Sequence, residues 1–167
     1  MDVSGSMTRQ RKELVRMTAF WIDMWLQNNY KNLTSRYIVH DVNAKEVDAH
    51  TFYHLRESGG TRISSAYDLC RQIIADDYDP EEWNIYGFHF SDGENFGGAD
   101  DRRCLKLLSD ELLPKLNLFG YGQVRGGYGR QFSETLSHLE DDKLVVAKVN
   151  ETNDIFQAIK IFLGKGH

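Results

Sequence analysis

The chain has 167 residues, of which 41% are hydrophobic and 27% are charged, with a formal net charge of −5 at pH 7. This length suits one globular domain with a buried core, and the mildly acidic balance argues against non-specific nucleic-acid binding. No apolar run is long enough to span a bilayer, and no signal peptide is visible. Cys70 and Cys104 fall on predicted helices without a C-x-x-C spacing, so we interpret them as buried thiols in a reducing compartment.

A short polar turn opens the chain and leads into a long helix. The turn reads D-x-S-x-S over residues 2–6, and apolar residues at three- and four-residue spacing predict a helix over about 8–30. Alternate residues of an extended turn point the same way, so Asp2, Ser4 and Ser6 are expected to converge. Three hard oxygen ligands suit Mg²⁺ or Mn²⁺ rather than zinc or copper. An ordinary helix N-cap is the alternative role for any one of them.

The next segments are predicted as a strand over 36–42, an antiparallel partner over 45–47, a short helix or irregular segment over 49–55 and a helix over 63–76. His50 and His54 lie four residues apart, but no third ligand is near, so exposed histidines are favoured over a zinc site. Gly59-Gly60 frees the backbone immediately before Thr61, which opens the second long helix.

A nearly continuous apolar strand is predicted over 84–90, as in a buried parallel sheet. Ser91 and Asp92 follow at its carboxyl end, where ligand sites of open α/β sheets lie. We therefore expect the side-chain oxygens of Asp92 and Thr61 to lie beside those of the first turn. A helix N-cap role for Asp2, Ser4 or Ser6 would not account for Thr61 and Asp92. His89, inside the strand, is interpreted as a hydrogen-bonded core histidine.

The second half of the chain continues the alternation, with predicted helices over 102–116, 132–139 and 153–163 and predicted strands over 117–124 and 144–149. Pro114 is expected to distort the last turn of its helix. The glycine-rich loop after the strand at 117–124 has neither a G-x-G-x-x-G nor a P-loop pattern, so nucleotide binding is unsupported. Strands that alternate with helices predict a single α/β sandwich domain.

The five residues Asp2, Ser4, Ser6, Thr61 and Asp92 resemble the metal-ion-dependent adhesion site (MIDAS) of the von Willebrand factor type A domain, in the order and at roughly the spacing of that family. In that family the two serines coordinate the metal directly, and the threonine and aspartates bind it directly or through water. The last coordination position is left for an acidic group on a partner. The resemblance implies a three-layer sandwich with a mostly parallel central sheet, one antiparallel edge strand and helices on both faces.

Type A domains also place the serine-rich turn at the end of a central apolar strand, and here only Met1 precedes Asp2. We therefore expect residues 1–167 to be a fragment of a longer protein that lacks its first central strand. Two inner strands would then lose a shared neighbour, and their backbone groups would need other partners. We expect the isolated chain to be poorly stable or to borrow a strand from another molecule.

The whole chain further resembles the C-terminal domain of the bacterial YeaH/YhbH family. The stretches that carry this resemblance are residues 1–7, 44–48, 59–61 with 64–66, 78–80, and 83–86 with 91–93. The resemblance implies a cytoplasmic protein. Genes of that family neighbour those of a serine kinase with an AAA-type ATPase module and of a SpoVR-like protein, in a stress-response or sporulation setting.

These features predict a non-enzymatic, metal-dependent protein-binding module. The resemblance implies that Ser4 and Ser6 hold Mg²⁺, or Mn²⁺ or Ca²⁺, together with Asp2, Thr61 and Asp92, and that an Asp or Glu of a protein partner completes the coordination. The partner-binding rim is predicted to comprise Glu94, Asn95, Arg125, Tyr128 and Arg130. The AAA-type serine kinase or the SpoVR-like protein is the implied partner, with no nucleic acid or membrane involved.

Two alternatives remain at this point. One is a Mg²⁺-dependent phosphatase or phosphotransferase with Asp2 as nucleophile. A phosphatase of the haloacid dehalogenase kind needs a second aspartate two residues later, where Ser4 stands, and no obvious general acid replaces it. The other is a degenerate scaffold whose site binds no metal.

Overall fold

A computed structural model describes residues 1–56, 59–125 and 131–164. Its strands are β1 (Tyr37–His40), β2 (Ala44–Val47), β3 (Tyr86–Ser91), β4 (Leu118–Val124) and β5 (Leu144–Val149). Its helices are α1 (Arg9–Asn29), α2 (Ala49–His54), α3 (Ile63–Asp77), α4 (Gly98–Leu107), α5 (Phe132–Leu136) and α6 (Asp154–Leu163). A π-helical turn, Leu108–Leu112, continues α4. None of the helices in these ranges has the length and apolar character needed to cross a membrane.

The sheet is mostly parallel. Strands β3, β4 and β5 pair in that order and in parallel, with Tyr86 opposite Leu118 and Phe119 opposite Leu144. Strands β1 and β2 form an antiparallel hairpin. The α/β architecture that the sequence predicts, including the antiparallel edge strand, is confirmed.

The first three residues join the hairpin to the parallel strands. The backbone N–H of Asp2 donates to the Phe90 carbonyl at 2.9 Å, and that of Val3 donates to the His40 carbonyl at 2.8 Å. His40 donates in turn to the Met1 carbonyl at 3.0 Å, and Asp2 and His40 form a parallel bridge. Residues 1–3 therefore lie between β1 and β3, and the polar turn leaves the middle of the sheet at the carboxyl ends of both strands.

A cavity of about 270 Å³ occupies the rest of the gap between β1 and β3. Met1, Ile38, Phe88 and other apolar side chains of α1, α3 and the two strands line it. The Met1 nitrogen donates to the Ile38 carbonyl at 2.7 Å. The three residues at the centre of the sheet thus pair with both neighbours and leave unfilled volume behind them. That residues 1–167 are a fragment lacking a strand stays a prediction.

Helices cover both faces of the sheet. One buried cluster joins α1 and α6 to one face and includes Val15, Ile22, Phe90, Val145 and Phe162. The other joins α3, α4 and α5 to the opposite face and includes Ile63, Tyr67, Leu108, Tyr121 and Phe132. Successive strand residues alternate between the two clusters, as the pleat of a strand requires. Both faces are apolar because both carry helices.

Several element boundaries differ from the sequence expectation. Strand β1 covers residues 37–40 rather than 36–42, β3 begins at residue 86 rather than 84, and α5 ends at residue 136 rather than 139. Helix α4 begins at Gly98 rather than near residue 102, because Asp100 and Asp101 in its first turn suit the positive end of the helix dipole. Pro114 lies beyond the helix, not in its last turn. Leu113 donates to the Leu108 carbonyl at 2.9 Å, which closes the π-helical turn just before a proline that has no N–H to continue the helix.

Candidate functional site

The polar turn is folded around the Asp2 carboxylate. The backbone N–H of Ser4 donates to Asp2 Oδ1 at 2.8 Å, and the Ser4 and Ser6 hydroxyl oxygens lie 3.1 Å apart in a mutual hydrogen bond. Asp2 and Ser4 are fully buried. Thr8 is the N-cap of α1, since its hydroxyl accepts from the Arg11 N–H at 3.3 Å. The alternative interpretation of Asp2, Ser4 or Ser6 as the N-cap of this helix is therefore wrong.

Strand β3 delivers a second carboxylate to the same place. The Ser91 hydroxyl donates to Asp2 Oδ2 at 2.7 Å and accepts from the Gly93 N–H at 3.0 Å. Asp92 is fully buried, and the nearby Ser6 hydroxyl lowers the pKa of its carboxylate. Gly93 has a φ of +82°, and a Cβ there would lie 2.6 Å from the Gln123 side chain, so the turn requires glycine.

The loop before α3 crosses the polar turn. The Gly5 N–H donates to the Gly59 carbonyl at 2.8 Å, and a Cβ at Gly59 would lie 2.5 Å from the Asp41 carboxylate. Thr61 follows two residues later and is half-buried. In the described ranges its hydroxyl makes no hydrogen bond to the cluster. The structure therefore brings Asp2, Ser4 and Ser6 together with Asp92, which Arg11 links to the Ser6 carbonyl, and the loop that contains Thr61 contacts the polar turn through Gly59.

Two buried carboxylates in one cluster create an electrostatic problem. Burial raises the pKa of Asp2, and hydrogen bonds from Ser4 and Ser91 oppose that rise. Burial also raises the pKa of Asp92; the Ser6 hydroxyl and the Arg11 charge lower it, whereas the nearby Asp2 charge raises it further. A positive charge is thus the natural partner of this site.

Arg11 supplies one such charge, and the sequence reasoning missed it. Its Nη1 donates to Asp92 Oδ2 at 2.8 Å and to the Ser6 carbonyl at 2.6 Å. The available signal was its position: the first turn of α1 carries no acidic residue, although a helix N-terminus disfavours cations. A cation at that place indicates an acidic partner elsewhere in the fold.

A buried histidine pair lies beneath the turn. His40 Nε2 and His89 Nε2 are 2.9 Å apart, and the Tyr67 hydroxyl hydrogen-bonds to His89 Nδ1 at 3.0 Å. Burial lowers the pKa of His40 to about 3 and that of His89 well below its ordinary value, so both rings are neutral. His89 as a hydrogen-bonded core histidine is confirmed. The pair links β1 to β3, the two strands that flank Asp2.

The predicted rim residues have different environments. Glu94 and Arg125 are exposed, whereas Asn95 uses its amide internally, accepting from the Ile63 N–H at 3.1 Å and donating to Asp101 at 2.8 Å. Tyr128 and Arg130 lie outside the described residues. Phe96, which the sequence reasoning did not select, is 72% exposed in the same loop. An aromatic residue inside a polar, glycine-rich loop was the signal for it.

The donor chemistry of the cluster fits a hard divalent cation. All candidate ligands are oxygens, two from carboxylates and the rest from hydroxyls, as Mg²⁺, Mn²⁺ and Ca²⁺ prefer. The part of the chain that the structure describes holds no group of three or more His, Cys, Asp or Glu side chains arranged around a metal position. His50 and His54 stack with ring centroids 4.4 Å apart on the exposed helix α2. The oxygen cluster is therefore the candidate metal site.

Comparison with protein families and with curated sequences gives a consistent result. The model of a family described as "Protein of unknown function (DUF444)" matches residues 1–166. A UPF0229 protein of Ruminiclostridium cellulolyticum is 38% identical over 169 residues, which cover 99% of this chain and 42% of that protein. A UPF0229 protein of Halalkalibacterium halodurans is 39% identical over 167 residues, with the same coverage. The chain thus spans about two fifths of the length of these relatives.

Solved structures match the fold. A von Willebrand factor type A protein from Catenulispora acidiphila superposes with a TM-score of 0.71 at 13% identity, over 99% of this chain and 41% of that one. The conserved hypothetical protein BatB from Bacteroides thetaiotaomicron gives 0.67 at 15% identity, over 99% and 95%. At these identities the likeness concerns the fold alone, which is that of von Willebrand factor A domains.

Proposed function

Since the chain belongs to the DUF444 (UPF0229) family, whose function is unknown, we propose from its own residues that it is a metal-dependent, non-enzymatic protein-interaction module. The observation that carries the proposal is the cluster of Asp2, Ser4, Ser6 and Asp92 at the carboxyl ends of β1 and β3. The cluster is fully buried except for Ser6, which is half-buried. Its oxygens come from segments about 90 residues apart in sequence, as the bond from Ser91 to Asp2 illustrates (|i−j| = 89). Two buried carboxylates are costly without a compensating charge, and Arg11 pairs with only one of the two, Asp92.

In this proposal Ser4 and Ser6 bind Mg²⁺, Mn²⁺ or Ca²⁺ directly, and Asp2, Thr61 and Asp92 bind it directly or through water. The bound cation supplies an incompletely neutralised charge for one carboxylate of the partner. The protein itself orients the ligand oxygens and excludes water. Ser91 and the Ser4 N–H fix the orientation of the Asp2 carboxylate. Because Asp2 is buried, water does not compete for its oxygens.

The proposed partner is a protein that presents an Asp or Glu. The exposed residues Glu94, Phe96 and Arg125 lie in loops that follow β3 and β4, and with Tyr128 and Arg130 they would supply contact area around the metal. An exposed aromatic ring beside charged residues is typical of a protein interface. Following the resemblance to the YeaH/YhbH family, we propose the associated AAA-type serine kinase or SpoVR-like protein, in the cytoplasm, in stress response or sporulation.

The catalytic alternative has less support. Both oxygens of Asp2 accept hydrogen bonds, from the Ser4 N–H and the Ser91 hydroxyl, and the side chain is fully buried. A nucleophile needs a free oxygen aligned with its substrate. Release of phosphate from p-nitrophenyl phosphate that disappears in Asp2→Asn would favour the catalytic alternative.

A capture experiment tests the proposal. The chain is immobilised and exposed to lysate of the source cell with Mg²⁺ or with EDTA, and bound proteins are identified by mass spectrometry. We expect a partner that is retained with Mg²⁺ and lost with EDTA or in Asp2→Asn, whose amide preserves the size of the side chain. Asp76→Asn, at an exposed residue near the end of α3, is the matched control and should behave like the parent. Binding that is indifferent to EDTA would reject the role of the metal.

A further inference from the structure

Arg11 is the residue of the candidate site whose role the proposed function leaves unexplained. It lies in the first turn of α1, and its guanidinium reaches back over the polar turn to the Asp92 carboxylate and the Ser6 carbonyl. The Asp92 side chain in this ion pair is 0% exposed, whereas that of Arg11 is 18% exposed. The arginine therefore lies at the solvent side of the cluster, between the buried carboxylate and the surface.

The pairing determines which carboxylate oxygens are open to another cation. Asp2 Oδ1 and Oδ2 accept from the Ser4 N–H and the Ser91 hydroxyl, and Asp92 Oδ1 accepts from the Glu94 N–H at 3.2 Å. These three partners are neutral. Asp92 Oδ2 alone among the four oxygens has a cationic partner, Arg11. The negative charge on Asp92 Oδ2 is therefore already neutralised by a side chain of the protein itself.

We infer that Arg11 is a built-in cation that competes with the divalent metal for Asp92 and so sets the metal affinity of the site. The inference rests on the proposed function. A guanidinium hydrogen-bonded to Asp92 Oδ2 and a dication bound to the same carboxylate repel each other at close range inside a partly dry site. Arg11 must therefore leave Asp92 when the metal binds. Its partial exposure and its flexible side chain allow it to move into solvent.

Competition and a purely structural ion pair predict opposite changes in metal affinity when Arg11 is removed. If Arg11 only held the turn in shape, its removal would weaken metal binding or leave it unchanged. If Arg11 competes, its removal strengthens metal binding while it lowers the stability of the metal-free chain, because two buried carboxylates lose their counter-ion. Coupling between two linked ligands is commonly about ten-fold or more in affinity, and we expect that size here.

Isothermal titration with MnCl₂ or MgCl₂ alone tests this inference on the parent, Arg11→Gln, Arg11→Lys and Arg103→Gln. Arg103 pairs with Asp68 at 2.6 Å on the surface, so its variant is the matched control for loss of an arginine ion pair. We expect Arg11→Gln to bind the metal about ten-fold tighter than the parent, in line with typical coupling. Arg11→Lys, which keeps the charge, and Arg103→Gln should bind like the parent.

The outcomes separate the inference from the proposed function. Equal or weaker binding by Arg11→Gln, with measurable binding by the parent, overturns the inference and leaves the metal site standing. Absence of binding by both overturns the metal site and the inference together. If Arg11→Gln does not fold, the guanidinium resonances of Arg11 in the parent are followed by NMR. Added Mg²⁺ should shift them to the solvent-exposed pattern, and unchanged resonances would contradict the competition.

Discussion

Acidification should destabilise the chain through the buried histidine pair. Burial lowers the pKa of His40 from 6.5 to about 3. Because unfolding restores the ordinary pKa, the unfolded chain binds a proton between pH 6.5 and 3 that the folded chain does not, so the free energy of unfolding falls as the pH falls through this window. At 1.36 kcal/mol per pH unit, the loss from His40 is about 3 kcal/mol at pH 4 and about 4 kcal/mol at pH 3, where the ring in the folded chain is itself half protonated. An ordinary domain has a free energy of unfolding of about 5–15 kcal/mol, so this loss is a large part of the total stability.

Urea unfolding followed by tryptophan fluorescence between pH 7 and pH 4 measures this loss. The comparison is with His40→Gln, whose amide can still hydrogen-bond to His89 but does not titrate. His138→Gln, at an exposed histidine, controls for loss of an imidazole. The stability difference between the parent and His40→Gln should change by about 3 kcal/mol from pH 7 to pH 4, with His138→Gln following the parent. Parallel profiles for the parent and His40→Gln would refute the reasoning.

Three further predictions concern the sheet and the site. A short apolar, β-branched segment fused before Met1 should raise the melting temperature above that of an equally long Gly/Ser fusion. The apolar segment can bury its side chains in the cavity of about 270 Å³, whereas the Gly/Ser segment cannot. Asp92→Asn should abolish the rise in melting temperature that Mg²⁺ produces, whereas the exposed Glu94→Gln should keep it. Tyr67→Phe removes the hydroxyl bound to His89 and should cost about 1 kcal/mol in urea unfolding, and an unchanged midpoint would count against that hydrogen bond.

The alternation of helices and strands could be predicted because hydrophobic spacing determines it. The bounds of β5 agree with the prediction residue for residue, and those of α1 agree to within one residue at each end. Both elements have clear apolar patterns and unambiguous polar ends. The end of α4 could not be predicted so closely, because the π-helical turn before Pro114 depends on how the chain returns to β4.

The candidate site could be predicted only in part. Asp2, Ser4 and Ser6 are neighbours in sequence. Asp92 follows a strand, and the topology of a parallel sheet places the carboxyl end of that strand at the same edge of the sheet. Arg11 pairs with Asp92 across 81 residues, and the histidine pair spans 49. Such contacts depend on the register between distant elements, which local patterns do not specify. Thr61 shows the same limit, because its loop reaches the polar turn through the Gly59 backbone.

Diffraction from crystals of the chain grown with Mn²⁺ tests the central claim most directly, since the anomalous signal of manganese locates the ion without assumptions about ligands. We predict one peak at bonding distance from the Ser4 and Ser6 hydroxyl oxygens, with Asp2, Thr61 and Asp92 around it and the Arg11 guanidinium displaced from Asp92. A well-ordered cluster with no peak, or a peak bound elsewhere on the chain, would contradict it.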